Sequence, residues 1–391
     1  MGVDALETTV VDCLHPGLTC ALLELSEELE VGSPPSSDAD SAMTEMGHST
    51  ALLESLRGER PRARASRAGA FSPGQRLGGY RLIERLGQGS QADVWKAVRV
   101  EPGPRVVAVK LLSPEASLDP LRREQFRREA ELGARLSSPA LLPTIDRGEV
   151  NGVMYLVMPM VNGCTLREAI AQRRRQRDEG LPGVPWWLGL SEGPYTRMVV
   201  RVLVRICRTL QYLHVHRVAH RDIKPANIML DREHPERVFL CDLGLGCDLD
   251  VPHGSAANAG AGTPLYMAPE KLGGGVAGEV ACDLYALGVT LFEALTLVHP
   301  FLIPDNIPRA CLAAYLATLT PPRPSTLRPS LPEPLDSLVL RLMDRDPARR
   351  HHSAAELADD LEAFLTPQPV SRRIYQDSKT IRIDPGGPLV A

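Results

Sequence analysis

Leucines at 18, 22, 25 and 29 open the chain's hydrophobic pattern with a 4-3-4 spacing. A short amphipathic helix over 18–30 would gather them on one face, to pack on the rest of the chain or to dock a partner. Periodicity lapses through residues 31–78, rich in Gly, Pro, Ser, Ala and Arg, which read as a flexible linker. From Tyr80 the pattern is that of strands: Tyr80–Ile83, Asp93–Val98, Val106–Leu112 and Met154–Met158. A charged, helix-favouring run from Leu121 to Leu136 interrupts them. Beyond residue 195 long helical stretches dominate, among them Thr196–His214 and Cys282–Thr296. The pattern predicts a β-rich half followed by an α-rich half, with a tail at each end and no internal repeat.

Composition narrows this only slightly. With 391 residues, 43% hydrophobic and 24% charged, the chain is globular and not disordered throughout. The net charge of −4 hides an asymmetry: residues 1–56 hold eleven Asp and Glu and no Lys or Arg, which leaves +7 on the rest. An arginine cluster from Arg57 to Arg67 marks the join, so an acidic tail precedes a mildly basic body. Eight cysteines occur without a single C-x-x-C pair, which argues against a zinc site or disulfide framework and for a reducing cytoplasm. No signal-peptide pattern is present, and the apolar stretch Leu284–Phe292 is too short for a membrane span.

Candidate chemistry begins at Gly87-Gln88-Gly89-Ser90-Gln91-Ala92-Asp93-Val94. Glycines let a backbone approach phosphate oxygens. A dinucleotide fold needs a helix directly afterwards. A strand-like run follows instead, which leaves a strand–turn–strand phosphate lid or an ordinary hairpin. Val107-Ala108-Val109-Lys110 ends an apolar strand in a cation, either snorkelling or paired with an anion. Glu129, beside Phe126 and Ala130 on the inward face of the next helix, is the best candidate partner. In His220-Arg221-Asp222-Ile223-Lys224-Pro225-Ala226-Asn227, Asp222 suits a proton acceptor, Lys224 a phosphate-neutralising cation and Asn227 an oxygen donor to Mg²⁺. Asp242, after the apolar Val238–Leu240, supplies a hard carboxylate for the same ion.

These motifs, with Ala268-Pro269-Glu270, Asp283-Leu284-Tyr285-Ala286-Leu287-Gly288 and Arg350, closely resemble the eukaryotic-like Ser/Thr protein kinases, bacterial ones in particular. The resemblance runs from about Tyr80 to Leu365. It implies an α+β bilobed fold: a β-rich lobe with one main helix over about 80–158, and a mainly helical lobe over about 162–366. Residues 1–79 and 367–391 are then tails, the first largely disordered. It implies ATP and Mg²⁺ (or Mn²⁺) as cofactors and Ser/Thr-bearing proteins as substrates. Asp222, Lys224, Lys110 and Glu129 take catalytic roles. Gly87, Gln88, Gly89, Val94, Ala108, Lys110, Met158, Pro159 and Val161 line the nucleotide site, with Met158 as gatekeeper and Pro159 to Val161 as hinge. Asn227 and Asp242 hold the metal. Thr263 bridges Asp222 and Lys224, Asp283 braces the catalytic loop, and Glu270 pairs with Arg350. Lys224 resembles the Ser/Thr branch.

Three features depart from the family pattern. Ala92 replaces the third loop glycine, Leu243 replaces phenylalanine, and the stretch from Leu245 to Gly262 offers only Ser255 as an internal phosphate acceptor, besides Thr263. Asp248 or Asp250 would then partly answer Arg221, where a phosphate normally does. Residues 171–195 look like an insertion. Their run Arg173-Arg174-Arg175-Gln176-Arg177 reads as a solvated face or as a contact for an acidic substrate or the chain's own tail, with no nucleic-acid partner expected, and Trp186-Trp187 as loop residues that pack on the helical lobe or form an interaction patch. Cys241 reads as a small buried hydrophobe. In the tails, Thr8 and Thr9 are candidate autophosphorylation sites for a phosphothreonine-reading partner, and Thr380 has similar spacing. The other function class is a pseudokinase scaffold, which would require loss of Lys110, Asp222, Asn227 or Asp242.

Overall fold

The computed structural model describes residues 71–366, apart from 90, 101–102, 180–184, 250–262, 273–277, 305–306 and 308–310. The leucine-rich stretch at 18–30, Thr8, Thr9, Asp250, Ser255 and Thr380 lie outside the described residues.

The first lobe is built on β1 (Arg76–Leu77), β2 (Tyr80–Gln88), β3 (Ala92–Arg99), β4 (Arg105–Leu112), α1 (Pro114–Ser117), α2 (Pro120–Arg135), β5 (Asp146–Val150) and β6 (Val153–Pro159). Its six strands run β1-β2-β3-β4-β6-β5, each pair antiparallel. β5 and β6 are joined by Asn151-Gly152, whose φ angles of 54° and 79° match the twist of the strands they connect. Residues 76–77, expected within the linker, instead add a strand. Leu77 is apolar and fully buried among Leu82, Trp95 and Tyr155, so the ordered body starts before Tyr80.

The two-residue period of β4 sorts its side chains. Val107, Val109 and Leu111 enter one core layer with Trp95 and Val157, while Leu112 turns to the other face, under Phe126 and Ala130 of α2. Lys110 shares the face of Leu112. α2 starts where Asp119 accepts a hydrogen bond from Leu121 N (2.9 Å) and Pro120 takes the first helical position. Phe126, Glu129 and Ala130, three and four residues apart, form its buried face.

The second lobe comprises β7 (Gly163–Thr165), α3 (Leu166–Glu179), α4 (Glu192–Val215), β8 (Val218–Ala219), β9 (Ile228–Asp231), β10 (Val238–Leu240), β11 (Cys247–Asp248), α5 (Pro269–Leu272), α6 (Glu279–Thr296), α7 (Leu312–Thr318), α8 (Pro324–Leu327), α9 (Glu333–Leu342) and α10 (Ala354–Leu365). β7, β9 and β10 form one small sheet, β8 and β11 another. α4 packs against α10, and α6 against α9. α6 is buried on all sides, which places its acidic Glu279, Asp283 and Glu293 in the interior, where each needs a partner. No helix among the described residues is long and apolar enough to cross a membrane.

The stretch at 171–195 is more regular than expected. Arg173 lies on α3 and faces inward: its guanidinium donates to the carbonyls of Leu188 (2.7 Å) and Leu190 (2.6 Å) and rests on the Tyr195 ring. Trp187 is fully buried, and Trp186 meets it edge-on and donates to Asp231 O at 3.3 Å. Burying a tryptophan withdraws ~200 Å² from water, worth about 5 kcal/mol, so the pair packs on the helical lobe.

Candidate active site

Between β8 and β9 the chain passes through His220-Arg221-Asp222, then a tight 3₁₀ turn, Pro225–Asn227. Arg221 (φ 66°) and Asp242 (φ 70°) both adopt the left-handed region, at about 1–2 kcal/mol each for a residue with a Cβ. Asp283 of α6 holds the strained turn. Its carboxylate accepts from His220 N (2.9 Å) and Arg221 N (2.7 Å) and bonds to His214 Nε2 (2.9 Å). Burial pushes the Asp283 carboxyl up, but the two histidines and these hydrogen bonds outweigh it and hold the group below the usual carboxylate range. Asp283 therefore occupies the bracing position expected of it.

Asp222 is buried and multiply held. Lys224 Nζ lies 2.8 Å from Oδ2, Asn227 Nδ2 donates to Oδ2 at 3.0 Å, and Thr263 Oγ1 donates to Oδ1 at 3.1 Å. Thr263 Oγ1 in turn accepts from Lys224 Nζ at 2.7 Å, so the hydroxyl bridges the carboxylate and the ammonium, the arrangement that the resemblance implied. The amide nitrogen of Asn227 also donates to Asp222 O at 2.8 Å. That use of the nitrogen leaves the amide oxygen as the group for a hard cation.

The first lobe contributes a second cluster. Lys110 Nζ lies 2.6 and 2.8 Å from the two Glu129 oxygens and 2.9 Å from Asp242 Oδ1. Burial alone would lower the ammonium, but the charges of Asp242 and Glu129 override it and raise Lys110. Asp242, pushed up by burial, is pulled well below the usual range by Lys110 and, further off, Lys224. Glu129 is pushed up to about 7 by burial, only partly countered by Lys110.

β2 and β3 carry the glycine turn. A Cβ at Gly89 would come within 2.8 Å of Ala92 O, whose carbonyl accepts from Gly89 N at 2.9 Å, so the turn itself demands that glycine. A Cβ at Gly87 would meet nothing within 4 Å, so the hairpin's own packing does not require glycine there. Gln88 lies opposite Asp93, Val94 opposite Lys110, and Ala108 opposite Met158. Pro159 ends β6 opposite Val107, and Val161 is nearly buried just beyond.

Two supporting contacts complete the site. Glu270 and Arg350 form the expected pair, with guanidinium–carboxylate distances of 2.7 and 2.8 Å. Cys241 packs against Asn227 O, and burial pushes its thiol up to about 12, which suits a small inert side chain rather than a nucleophile. The carboxylate that meets Arg221 is Glu279, overlooked in the sequence, where Asp248 and Asp250 were the nearer choices. The available signal was its place four residues before Asp283, one turn along the same helix.

A β-rich lobe and a helical lobe meet where Lys110 of the first, held by Glu129, reaches Asp242 of the second. A family model described as protein kinase domain matches residues 80–360, and the chain belongs to that family. It is 33% identical over 297 residues to the serine/threonine-protein kinase PknD of Mycobacterium tuberculosis, covering 75% of this chain and 40% of that protein. PrkC of Bacillus subtilis, also named a serine/threonine-protein kinase, is 29% identical over 313 residues, covering 80% of this chain and 44% of that protein. The chain thus spans less than half the length of these curated relatives. The crystal structure of the M. tuberculosis PknI kinase domain superposes with a TM-score of 0.55 at 28% identity, covering 75% of this chain and 99% of that one.

Proposed function

We propose that the chain is a serine/threonine protein kinase that transfers the γ-phosphoryl group of ATP, with Mg²⁺ or Mn²⁺, to Ser and Thr hydroxyls of proteins. The observation that carries this reading is the closed set Asp222, Thr263 and Lys224, spanning 2.7–3.1 Å, beside the Lys110–Asp242 contact. Asp222 orients the incoming hydroxyl and accepts its proton. Lys224 offsets charge on the group in transit, and Thr263 fixes both. Lys110, steadied by Glu129, positions the α- and β-phosphates under the glycine turn, while the hinge around Val161 receives the adenine. Asp242 and Asn227 offer two oxygens, a hard donor set that fits Mg²⁺. When bound, the cation neutralises phosphate charge; the protein's own contribution is positioning and electrostatic stabilisation.

The names of the relatives support the Ser/Thr assignment. In this reading the catalytic domain covers about 76–366, β1 included, with a tail on either side. The cytoplasm is its compartment, a reading supported by the six free cysteines among the described residues. Thr8 and Thr9, on a tail tethered to the catalytic domain, are autophosphorylated for a phosphothreonine reader; phosphopeptide mapping that finds both unmodified would remove this part. No observation favours the scaffold reading, since Lys110, Asp222, Asn227 and Asp242 are all present and brought together.

The test is transfer from radiolabelled ATP to a generic basic protein. Wild type should label Ser and Thr alone, and Asp222→Asn should lose on the order of 10²–10⁴ in rate. Equal labelling by the two proteins, or labelled tyrosine, would defeat the proposal.

A further inference from the structure

Arg221 directly precedes Asp222, and its side chain is only 13% exposed. A guanidinium so placed needs an anion. Glu279 supplies it in a two-pronged contact, Nε to Oε2 at 3.0 Å and Nη2 to Oε1 at 2.7 Å. Lys271 Nζ reaches the same Oε1, so one carboxylate answers two cations. Glu279 is the first residue of α6, where the helix dipole favours negative charge. Burial pushes this carboxyl up, yet the bonds from Arg221 and Lys271 outweigh it and keep it low and ionised. One turn further along α6, Asp283 holds the backbone N–H groups of His220 and Arg221. A single buried helix therefore holds the catalytic loop twice, by its main chain and by its side chain, across a backbone strained at φ 66°.

Resting on the kinase reading above, we propose that Glu279 is a positioning residue: it serves as a built-in anion for Arg221, fixes the turn that aims Asp222, and sets the loop without an added phosphate. Loss of its charge frees the Arg221 side chain and leaves the strained turn to Asp283 alone. Glu279 touches none of the residues assigned to ATP. The effect therefore belongs to kcat and not to nucleotide affinity.

The experiment uses the full chain as wild type, Glu279→Gln and Glu279→Asp. Expected in Glu279→Gln is a kcat lower by about tenfold or more with KM for ATP within about twofold of wild type. Glu279→Asp, which keeps the charge, should recover to within about threefold of wild type. Wild type stripped of phosphate by a protein phosphatase should keep its initial rate. A wild-type kcat in Glu279→Gln, a rise in KM for ATP with kcat unchanged, or loss of wild-type activity on dephosphorylation would each overturn the proposal. Amide hydrogen exchange over residues 217–227 reads the clamp independently of catalysis. Faster exchange in Glu279→Gln, with partial recovery in Glu279→Asp, supports it, and unchanged exchange overturns it. If wild type transfers no phosphate at all, the kinase reading fails, while the exchange data still decide whether Glu279 holds the loop.

Discussion

Lys110 reaches across the two lobes to Asp242, with Nζ 2.9 Å from Oδ1, while it also holds Glu129 at 2.6 Å. One cation thus faces two carboxylates, Glu129 buried and Asp242 part-exposed, and they do not share it equally. Asp242 is held well below its ordinary range, whereas burial raises Glu129 from 4.5 to about 7.

A pH dependence follows from that inequality. A carboxyl with a raised folded value takes up a proton on folding, so its contribution to stability is full below about 4.5 and is lost as pH rises through about 7. Wild type should therefore lose more melting temperature between pH 5 and pH 8 than Glu129→Gln does. Differential scanning fluorimetry of the two proteins checks this; equal losses would show that Glu129 is ionised across the whole range.

Thr263 joins Asp222 to Lys224 through a single hydroxyl oxygen. Thr263→Ala should lower kcat by about tenfold, the worth of one hydrogen bond to a charged group, with little change in KM for ATP. Thr263→Ser should recover most of the rate. Because this hydroxyl is buried and engaged on both sides, mass spectrometry after incubation with ATP should find Thr263 unmodified.

Much of this site was legible in the sequence because its chemistry is local. His220 to Asn227 lie within eight residues, so their types and spacing carry the constellation, and the inward position of Glu129 follows from helix periodicity beside Phe126 and Ala130. A cation at the end of the apolar run Val107-Ala108-Val109 likewise marked Lys110. What escaped was set by tertiary packing. Nothing near Arg221 in the chain points to Glu279, 58 residues away, until α6 is seen to be buried from end to end. Leu77 was lost to the linker because two residues are too few to show a period. The arginines at 173–177 looked alike until folding turned one of them inward.

That difference among arginines is measurable. Arg173 satisfies the carbonyls of Leu188 and Leu190 and stacks on Tyr195, whereas Arg175 on the same helix is exposed. Arg173→Ala should destabilise the helical lobe by about 1–3 kcal/mol, because it strands two carbonyls as well as removing packing. Arg175→Ala should stay within about 0.5 kcal/mol of wild type, as surface substitutions do. Urea denaturation separates the two outcomes, and equal midpoints would return Arg173 to the solvated face.

The Glu270–Arg350 pair offers the sharpest test of how the helical lobe is held together. Arg350 is fully buried, forks onto Glu270, stacks on Tyr285, and donates further to Asp344 O at 2.8 Å and Ala281 O at 2.9 Å. Removing the cation leaves a largely buried carboxylate with only Cys282 Sγ nearby at 3.6 Å, so Arg350→Met should cost about 3–5 kcal/mol. Removing the acid leaves the guanidinium its backbone carbonyls, so Glu270→Gln should cost less, about 1–3 kcal/mol. The double variant strands neither charge. Its loss should fall short of the two single losses together by about 0.5–3 kcal/mol, the coupling expected of groups in direct contact. Urea unfolding of all four proteins gives that coupling directly, and strict additivity would mean that the two side chains stabilise the lobe independently of their contact.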